Sequence, residues 1–384
     1  MAGRIIENFQ FFCYNVFMGV DTEFLPYLEK INAVLERALP AAADVDFTAA
    51  SFALTDEKKD DFFEKARDGV NELLAPDREL LMSGGKRWRP VFLLLCAQAL
   101  SYKNGVSDAE MEAVFERAAS LTPLVEFVHT ASLIHDDIED GSQERRGKKA
   151  AYLTYGLDTA LNSASWLYFE AALCIKKSCL EDLRPALYEA YLGEVRKLHL
   201  GQAMDIFWHN KNEYIPGRQE YLVMVKNKTG TLSSLSARIA ALLCACSQKE
   251  ENLLADWAAS IGAAFQIIDD VINLTSGNPG KKRGDDIVEG KKSLPVILFF
   301  EEASTEEKGQ LLECLKKAHG TNTDNPCVEE AILLLQRHNS VEKARALGLK
   351  LIEECLSEYE NLLGKENPYM KKIKSLFLSM SPKS

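Results

Sequence analysis

Two short clusters of aspartates, each at the end of an apolar stretch, carry the side chains in this sequence that could bind a metal ion. The first cluster, Asp136, Asp137 and Asp140, follows the apolar run 127-FVHTASLI. On a helix, Asp136 and Asp140 would project from one face about one turn apart, where like charges repel unless a cation compensates them. Carboxylate oxygens there suit Mg²⁺, a hard ion that completes its coordination with water and phosphate oxygens.

The second cluster repeats this arrangement further along the chain. Asp269 and Asp270 follow the apolar run 265-FQII, and a polar residue, Asn273, comes about one turn later. A single acidic helix end is usually a solvated terminus, but two such ends, each closing an apolar helix, favour a shared role. If the two acidic patches face each other, they repel unless metal ions lie between them.

Basic residues complement the aspartates at several places in the sequence. Arginine forks and lysine ammonium groups both bind phosphates well. The candidates are Lys86, Arg87 and Arg89 in 84-GGKRWRP, Arg145 and Arg146 after the first cluster, Lys228 in 228-KTG, and Lys281 in 280-GKKRGDD. Together they predict a ligand with more than one phosphate, held by both metal ions and cationic side chains.

Long helices are predicted to position these residues. Apolar residues recur at i, i+3, i+4 and i+7 in stretches such as 107–140 and 342–363, and strand-like alternation is scarce. The predicted fold is therefore all-α, a single domain of long helices around a central cavity. Residues 1–45 are predicted to form a helical N-terminal extension, and residues 46–384 the main domain.

The amino-acid composition limits the classes of partner that the protein is expected to bind and the compartment in which it is expected to lie. The net charge of −12 disfavours binding to nucleic acid, which requires a positive field. No apolar run approaches the ~18 residues of a transmembrane segment, and the start of the chain lacks the pattern of a signal peptide. The nine cysteines are odd in number and lie mostly in apolar helical stretches, which favours reduced thiols and a cytoplasmic location.

Seven motifs, in a fixed order along the chain, carry a resemblance to a known family. They are GGKRWRP (84–90), FVHTASLIHDDIEDGSQERRG (127–147), GQAMDI (201–206), KTGTL (228–232), FQIIDDVIN (265–273), GKKRGDD (280–286) and EGKKSLP (289–295). The sequence resembles the isoprenyl diphosphate synthases, also called trans-polyprenyl synthetases, of medium- or long-chain type. The resemblance implies the isoprenoid synthase fold and a homodimer.

The resemblance also implies a prenyltransferase that uses about three Mg²⁺ ions per active site. Such an enzyme condenses isopentenyl diphosphate head to tail with an allylic diphosphate, which gives an all-trans polyprenyl diphosphate. No protein nucleophile is needed, in agreement with the absence of a GxSxG elbow and of a P-loop. The implied metal ligands are Asp136, Asp137, Asp140, Asp269 and Asp270.

The resemblance implies roles for the other candidates as well. Those implied to act in catalysis, beside Asp136, Asp140 and Asp269, are Arg145, Lys228, Thr229, Gln266 and Lys281. Those implied to bind the substrate diphosphates are Lys86, Arg87, Arg89, His129, Arg145, Arg146, Lys228, Gln266, Lys281 and Lys291. Two positions depart from the family pattern: Asn273 stands where the family often has aspartate, and Ser165 where it commonly has aspartate or asparagine.

Product length is predicted from the helix that leads to Asp136. Ala131 and Ser132, five and four residues before Asp136, are both small, whereas short-chain enzymes of the family often carry an aromatic residue there. The hydrocarbon tunnel is therefore predicted to be open at this level, with Phe127 and Leu124, about one turn deeper, as candidates for its floor. The candidates on neighbouring helices are Tyr188, Tyr191 and Phe169. The predicted product has 20 carbons or more.

Three alternatives remain open at this point. An early block from another helix would make the protein a short-chain, C15 synthase. An isoprenoid cyclase shares the aspartate-rich helix, but it binds no second diphosphate and would leave GGKRWRP and the Arg145–Arg146 pair without a role. A non-catalytic subunit of a heteromeric prenyl synthase would have lost its metal ligands, which are present in this chain.

Overall fold

The part of the chain that the structure describes is built of α-helices. The structure, a computed structural model, describes residues 22–40, 59–178, 180–211, 213–277 and 282–380. Its helices are α1 Leu25–Ala38, α2 Lys59–Met82, α3 Trp88–Lys103, α4 Asp108–Ser120, α5 Pro123–Glu139, α6 Ala151–Tyr155, α7 Leu157–Lys177, α8 Arg184–His209, α9 Arg218–Val225, α10 Thr231–Leu243, α11 Gln248–Thr275, α12 Asp285–Glu289, α13 Leu294–Glu302, α14 Thr305–Ala318, α15 Pro326–Arg337, α16 Ser340–Leu363 and α17 Pro368–Met380. The prediction of an all-α fold is confirmed.

Three short segments differ from regular α-helix. Strands β1 Glu144–Arg145 and β2 Lys148–Lys149 pair as an antiparallel hairpin. A π-helical turn, Lys226–Gly230, joins α9 to α10. Single 3₁₀ turns precede α1 and α8. The described part of the predicted N-terminal extension is helical, and the boundary predicted at residue 45 lies outside the described residues.

The chain divides into two compact units. The described parts of residues 1–94 and 107–188 form the first unit, and those of 95–106 and 189–384 form the second. The first aspartate cluster belongs to the first unit and the second cluster to the second unit. The prediction of one domain around a central cavity stays a prediction, and each unit is described by itself.

Helix α5 is the core helix of the first unit. It begins with Pro123 at its first turn, where the missing N–H costs nothing, and it packs against α1, α2, α6 and α7. Its buried residues lie on every side of the helix and include Leu124, Phe127 and Ile134. A helix that is apolar all round is stable only inside a core, so α5 carries its acidic C-terminal end out of a packed interior.

Helix α11 has the same place in the second unit. A capping box at Ser247 and Glu250 begins the helix, and α9, α10, α13, α16 and the π-helical turn pack against it. Buried residues such as Ile261, Ile267 and Val271 follow its length and continue past the second aspartate cluster. In the described ranges no helix combines the length and the apolar character needed to cross a membrane.

A buried carboxyl group in the first unit predicts a pH-dependent stability. Asp77 of α2 is fully buried near Ser163 of α7, and burial raises its pKa to about 7. A carboxyl whose pKa is raised on folding stabilises the fold below its unfolded pKa of about 4, and that stability is lost as the pH rises to the folded value. Between pH 5 and pH 8 the loss amounts to about 3 kcal/mol.

We therefore expect Asp77→Asn to remove this dependence. The free energy of unfolding is measured with urea at pH 5 and pH 8. The difference between variant and wild type should be about 3 kcal/mol more in favour of the variant at pH 8 than at pH 5, because asparagine does not ionise. The matched control is Asp68→Asn, on the same helix at an exposed position. An Asp77→Asn difference that stays the same at both pH values contradicts the prediction.

Candidate active site

The first aspartate cluster lies at the C-terminal end of α5. Asp136 and Asp140 are partly exposed and one turn apart, and the backbone N–H of Asp140 donates to the carbonyl of Asp136 at 2.8 Å. Asp137 is buried on another side of the helix. The helix thus presents Asp136 and Asp140 together, as the spacing predicted.

Asp137 holds an arginine of the neighbouring hairpin. Arg145 donates from Nε to Asp137 Oδ1 at 2.9 Å, and its terminal Nη2 makes a second, shorter contact with the same oxygen. The same terminal nitrogen lies 3.9 Å from Asp136 Oδ2. The pair fixes the Arg145 guanidinium beside the acidic helix end, so Asp137 acts in this structure as the anchor of Arg145.

The second arginine of the hairpin reaches the Gly-rich turn between α2 and α3. Arg146 has a φ of 54°, in the left-handed region, and its Nη1 donates to the carbonyls of Leu80, at 2.9 Å, and Gly84. Gly85 has a φ of 135°, which favours glycine, and a Cβ there would lie 2.9 Å from the Arg146 guanidinium, so a larger residue would displace that side chain. The hairpin is also tied to α2, because Glu79 accepts from Lys148 at 3.0 Å.

A cavity of about 270 Å³ lies beside this turn in the first unit. Its lining residues are Gly85, Lys86, Arg87, Trp88, Arg89, Glu126, His129 and Arg146. Four are cationic and one is anionic, so the cavity has the electrostatic character of an anion site. Of the predicted diphosphate ligands, Lys86, Arg87, Arg89, His129 and Arg146 are therefore brought together.

Two residues of this cavity show how its charges are arranged. The Arg89 guanidinium lies 4.5 Å from the centre of the Trp88 ring, and burial lowers its pKa to about 10, which keeps it charged at neutral pH. Burial, and then the charges of Arg89 and Arg146, hold the pKa of His129 well below its usual value. His129 is therefore neutral at pH 7 and can donate one hydrogen bond to an anion.

Arg87 differs from the other basic residues of the cavity because it forms a buried ion pair. Its guanidinium donates to Glu126 Oε1 and to the carbonyl of Leu81, and both side chains of the pair are almost completely buried. The Arg87 charge is thus balanced by the protein itself. Its predicted role in substrate binding stays a prediction, and its structural role is to hold the Gly-rich turn against α5.

We expect Glu126→Gln to lower the free energy of unfolding by about 3 kcal/mol, because it leaves the buried Arg87 charge without its partner. The measurement is urea denaturation. Glu116→Gln is the matched control: Glu116 pairs with Lys30 at 2.5 Å in the same unit but is half exposed. Exposed pairs contribute about 1 kcal/mol or less. A Glu126→Gln loss no larger than that of the control contradicts the expectation.

The second aspartate cluster lies on α11, with one aspartate exposed and one buried. Asp269 is exposed, whereas Asp270 accepts from Tyr221 Oη at 2.7 Å and from Gln266 Nε2 at 2.9 Å. Burial, and then the charge of Asp286, raise the pKa of Asp270 to about 7. Tyr221 was not predicted as a site residue, since a tyrosine in an apolar helix normally belongs to the core.

Lys228 and Thr229 lie on the π-helical turn, next to this cluster in the second unit. Thr229 Oγ1 donates to Gln266 Oε1 at 3.0 Å, and Lys228 Nζ lies 2.6 Å from Asp205 Oδ2 on α8. A Cβ on Gly201 would lie 2.3 Å from the backbone nitrogen of Lys228, so a glycine at this position lets the turn approach α8 closely. Asp205 lies in the motif GQAMDI and received no role from the sequence.

Asn273, where the family often has aspartate, connects α11 to the following loop. Its Oδ1 accepts from the backbone N–H of Asp286 at 3.3 Å, and its carbonyl accepts from Gly284 at 3.0 Å. Lys291 lies 2.5 Å from Glu289 and 3.7 Å from Asp286. Lys281, a predicted catalytic and substrate-binding residue, lies outside the described residues.

The residues predicted to set product length fall into two groups. Ala131 and Phe127 are fully buried in α5, and Ser132 Oγ donates to the His129 carbonyl at 2.9 Å. Phe169, however, is 73% exposed on α7, so the interpretation of this residue as a tunnel floor within its own chain is wrong. Ser165 Oγ lies 3.3 Å from His135 Nε2, which gives this departure from the family pattern a local partner.

The chemistry of the acidic residues fits a hard divalent cation. Within the described ranges, no three His, Cys, Asp or Glu side chains form a group that could hold a metal ion by itself. Asp136, Asp140 and Asp269 nevertheless present carboxylate oxygens at the surface of their helices. Mg²⁺ typically takes one or two carboxylates and completes its shell with water and substrate phosphates, so the pair in the first unit and the single aspartate in the second each fit its preference for donors.

Known proteins resemble this chain over most of its length. The family model described as polyprenyl synthetase matches residues 70–332. A short chain isoprenyl diphosphate synthase from Methanocaldococcus jannaschii is 35% identical over 296 residues, 75% of this chain and 83% of the relative. A geranylgeranyl pyrophosphate synthase from Dictyostelium discoideum is 32% identical over 79% of this chain and 93% of the relative.

A solved structure agrees with this assignment. The geranylgeranyl pyrophosphate synthetase of Geoglobus acetivorans superposes with a TM-score of 0.69 at 28% identity, over 83% of this chain and 96% of that chain. The resemblance carried by the seven motifs is thus confirmed by the family model, by relatives and by the fold. The chain belongs to the polyprenyl synthetase family, whose members are prenyltransferases.

Proposed function

We propose that the protein catalyses the Mg²⁺-dependent, head-to-tail condensation of isopentenyl diphosphate with an allylic diphosphate. The observation that carries this proposal is the arrangement of α5, on which His129 of the cationic cavity and Asp136 of the acidic cluster lie seven residues apart. Seven residues of helix span about 10 Å. One helix thus serves an anion site and, at its end, a carboxylate pair suited to a metal-bound diphosphate. An enzyme that joins two diphosphates needs both.

We propose that Asp136 and Asp140, and in the second unit Asp269, hold Mg²⁺ ions, about three in all. When bound, these ions would balance the charge of the allylic diphosphate and of the pyrophosphate that leaves it. Asp137 is proposed to act through Arg145, and Asp270 through Gln266. Both pairs are supported by hydrogen bonds of the buried carboxylate to the partner residue.

The remaining residues act on the substrates directly. Arg145, Lys228 and Lys281 are proposed to draw negative charge onto the departing pyrophosphate, which lowers the barrier to breaking the allylic C–O bond. Lys86, Arg89, His129 and Arg146 would hold isopentenyl diphosphate with its double bond towards the allylic carbon. Breaking the C–O bond leaves an allylic carbocation, the double bond attacks it to form the new C–C bond, and loss of a proton completes a chain five carbons longer. Oxygens of Thr229 and Gln266 are proposed to lie near this carbocation.

We propose an all-trans product of 20 carbons or more. The small residues Ala131 and Ser132 support this length, because neither would stop a hydrocarbon a little more than one turn of α5 below Asp136. The Dictyostelium and Geoglobus relatives named above carry geranylgeranyl, a C20 product, in their names. The primer is proposed to be a dimethylallyl, geranyl or farnesyl diphosphate.

We also propose a homodimer located in the cytoplasm. The support for a dimer is a stripe of exposed apolar residues on α7, Leu157, Leu161, Phe169 and Leu173, spaced at multiples of four residues along one face. Phe169 would then contact a second copy of the chain. The described cysteines are all free thiols, which fits a reducing compartment.

The decisive experiment incubates the protein with Mg²⁺, labelled isopentenyl diphosphate and each of the three primers, and sizes the extracted products by chromatography. Incorporation that requires both substrates, with a defined product length, is the expected result. Turnover of an allylic diphosphate alone would favour a cyclase. No incorporation by folded protein would favour a non-catalytic subunit, and a C15 product would overturn the proposed length.

A further inference from the structure

A buried lysine in the second unit has no role in the proposed reaction so far. Lys292 follows Lys291 in the motif EGKKSLP, but its side chain turns into the protein and is only 2% exposed. Its Nζ donates to the carbonyl of Gly290 at 2.7 Å. Burying an ammonium group is costly unless an opposite charge lies close by, so the surroundings of Lys292 should include an anion.

The segment that carries Lys292 packs against the C-terminal end of α8. A Cβ on Gly290 would lie 2.6 Å from His319 Nδ1 and 3.3 Å from the carbonyl of His209, the last residue of α8. Asp205 lies one turn earlier on the same helix and is 5% exposed. Burial lowers the pKa of Lys292 to about 8, and the negative charge of Asp205 opposes that shift, in agreement with this placement.

Asp205 is already the partner of a residue with a proposed catalytic role. Its Oδ2 lies 2.6 Å from Lys228 Nζ, and the Lys228 side chain is only 18% exposed. The buried Asp205 carboxylate is thus paired with Lys228, and its negative charge also acts on the buried Lys292. If Lys228 were its only cation, moving Lys228 onto a substrate would leave a buried, uncompensated carboxylate, which is strongly unfavourable.

We propose that Lys292 is a positioning residue for Lys228: its buried ammonium group compensates Asp205, so that Lys228 can turn from that carboxylate to the pyrophosphate group of the substrate. This inference rests on the proposed function, because it takes Lys228 to be a pyrophosphate ligand. Asp205 then retains one cation whether the site is empty or filled. Without Lys292, the pair of Lys228 and Asp205 would close more tightly and compete with the substrate.

The test compares two substitutions of Lys292. Lys292→Gln removes the charge but keeps a donor for the Gly290 carbonyl, and Lys292→Met removes both. Both should raise the KM for the allylic diphosphate and weaken the binding of Mg²⁺–pyrophosphate, measured by calorimetry, about tenfold. Lys350→Met, a change at a side chain that is 70% exposed, should leave both constants unchanged.

A double-mutant cycle with Asp205→Asn tests whether Lys292 acts on Lys228 through Asp205 or only supports the loop that contains Lys292. With no carboxylate to compensate, Lys292→Gln should have no further effect on pyrophosphate affinity in the Asp205→Asn background. Wild-type affinity in folded Lys292→Gln, or the same tenfold loss in both backgrounds, overturns the proposal. Since pyrophosphate binding is measured without turnover, a wild-type protein that binds pyrophosphate but elongates no primer would contradict the proposed function alone.

Discussion

Replacing Asp136 with asparagine is expected to lower kcat/KM by about three orders of magnitude. The substitution keeps the size of the side chain but replaces a carboxylate with a neutral amide, which is a weak ligand for Mg²⁺. It also removes the negative charge 3.9 Å from the Arg145 guanidinium. The measurement is steady-state elongation with labelled isopentenyl diphosphate over a range of Mg²⁺ concentrations, in which the half-saturating concentration should also rise.

A neighbouring acidic residue provides the control for this substitution. Glu139 is exposed at the last position of α5, between the two proposed ligands, so Glu139→Gln removes one negative charge from the same turn. If only the total negative charge of the cluster mattered, both variants would lose activity equally. We expect the effect only at Asp136, and an Asp136→Asn enzyme within tenfold of wild type at saturating Mg²⁺ would contradict its role as a ligand.

Much of the fold and of the candidate site could be predicted because the signals are local. The periodicity of apolar residues predicts α5 and α11, and the first acidic cluster marks the end of α5. The prediction that the second cluster closes its helix is wrong, because α11 continues past Asp270 to Thr275. The four-residue spacing of Asp136 and Asp140 translates directly into one helix face. The cavity residues Lys86, Arg87 and Arg89 are neighbours in sequence. His129 and Arg146 lie further along the chain, and the family resemblance of their motif assigns them to the same diphosphate site.

The partner of each charge could not be predicted in this way. Arg87 and Glu126 are 39 residues apart, and Tyr221 and Asp270 are 49 residues apart. Sequence shows the type and spacing of charged residues, but the choice among possible partners depends on tertiary packing. For this reason Arg87 was grouped with the substrate ligands, although it is balanced by a buried carboxylate.

The contacts of Asp137 and Asp205 were also hard to predict, and the two residues differ in how much signal the sequence contains. The resemblance implies that Asp137 helps to bind the metal, yet in the structure its carboxylate accepts a hydrogen bond from Arg145 of the hairpin. Nothing in the spacing indicates that contact. Asp205 did have a signal, because it lies in one of the seven motifs, four residues after Gly201. That spacing places it one helical turn beyond the residue against which Lys228 packs.

Ala131→Tyr is expected to shorten the product to 15 carbons or fewer. Ala131 is fully buried in α5, five residues before Asp136, which places it about 7.5 Å below the acidic end. A tyrosine ring there would fill the space that a growing chain occupies after one or two additions. The same substitution at Ala113, an exposed position of α4, should leave product length unchanged.

The measurement for Ala131→Tyr is the length distribution of products made from geranyl and farnesyl diphosphate. A large residue in a packed core can cost about 1–3 kcal/mol of stability, so some of the variant protein can be unfolded. Product length is read only from molecules that turn over, and it therefore does not depend on the folded fraction. A variant that still extends farnesyl diphosphate to the wild-type length would contradict the path of the hydrocarbon along α5. The proposed length of the wild-type product would then have to be set by a different helix.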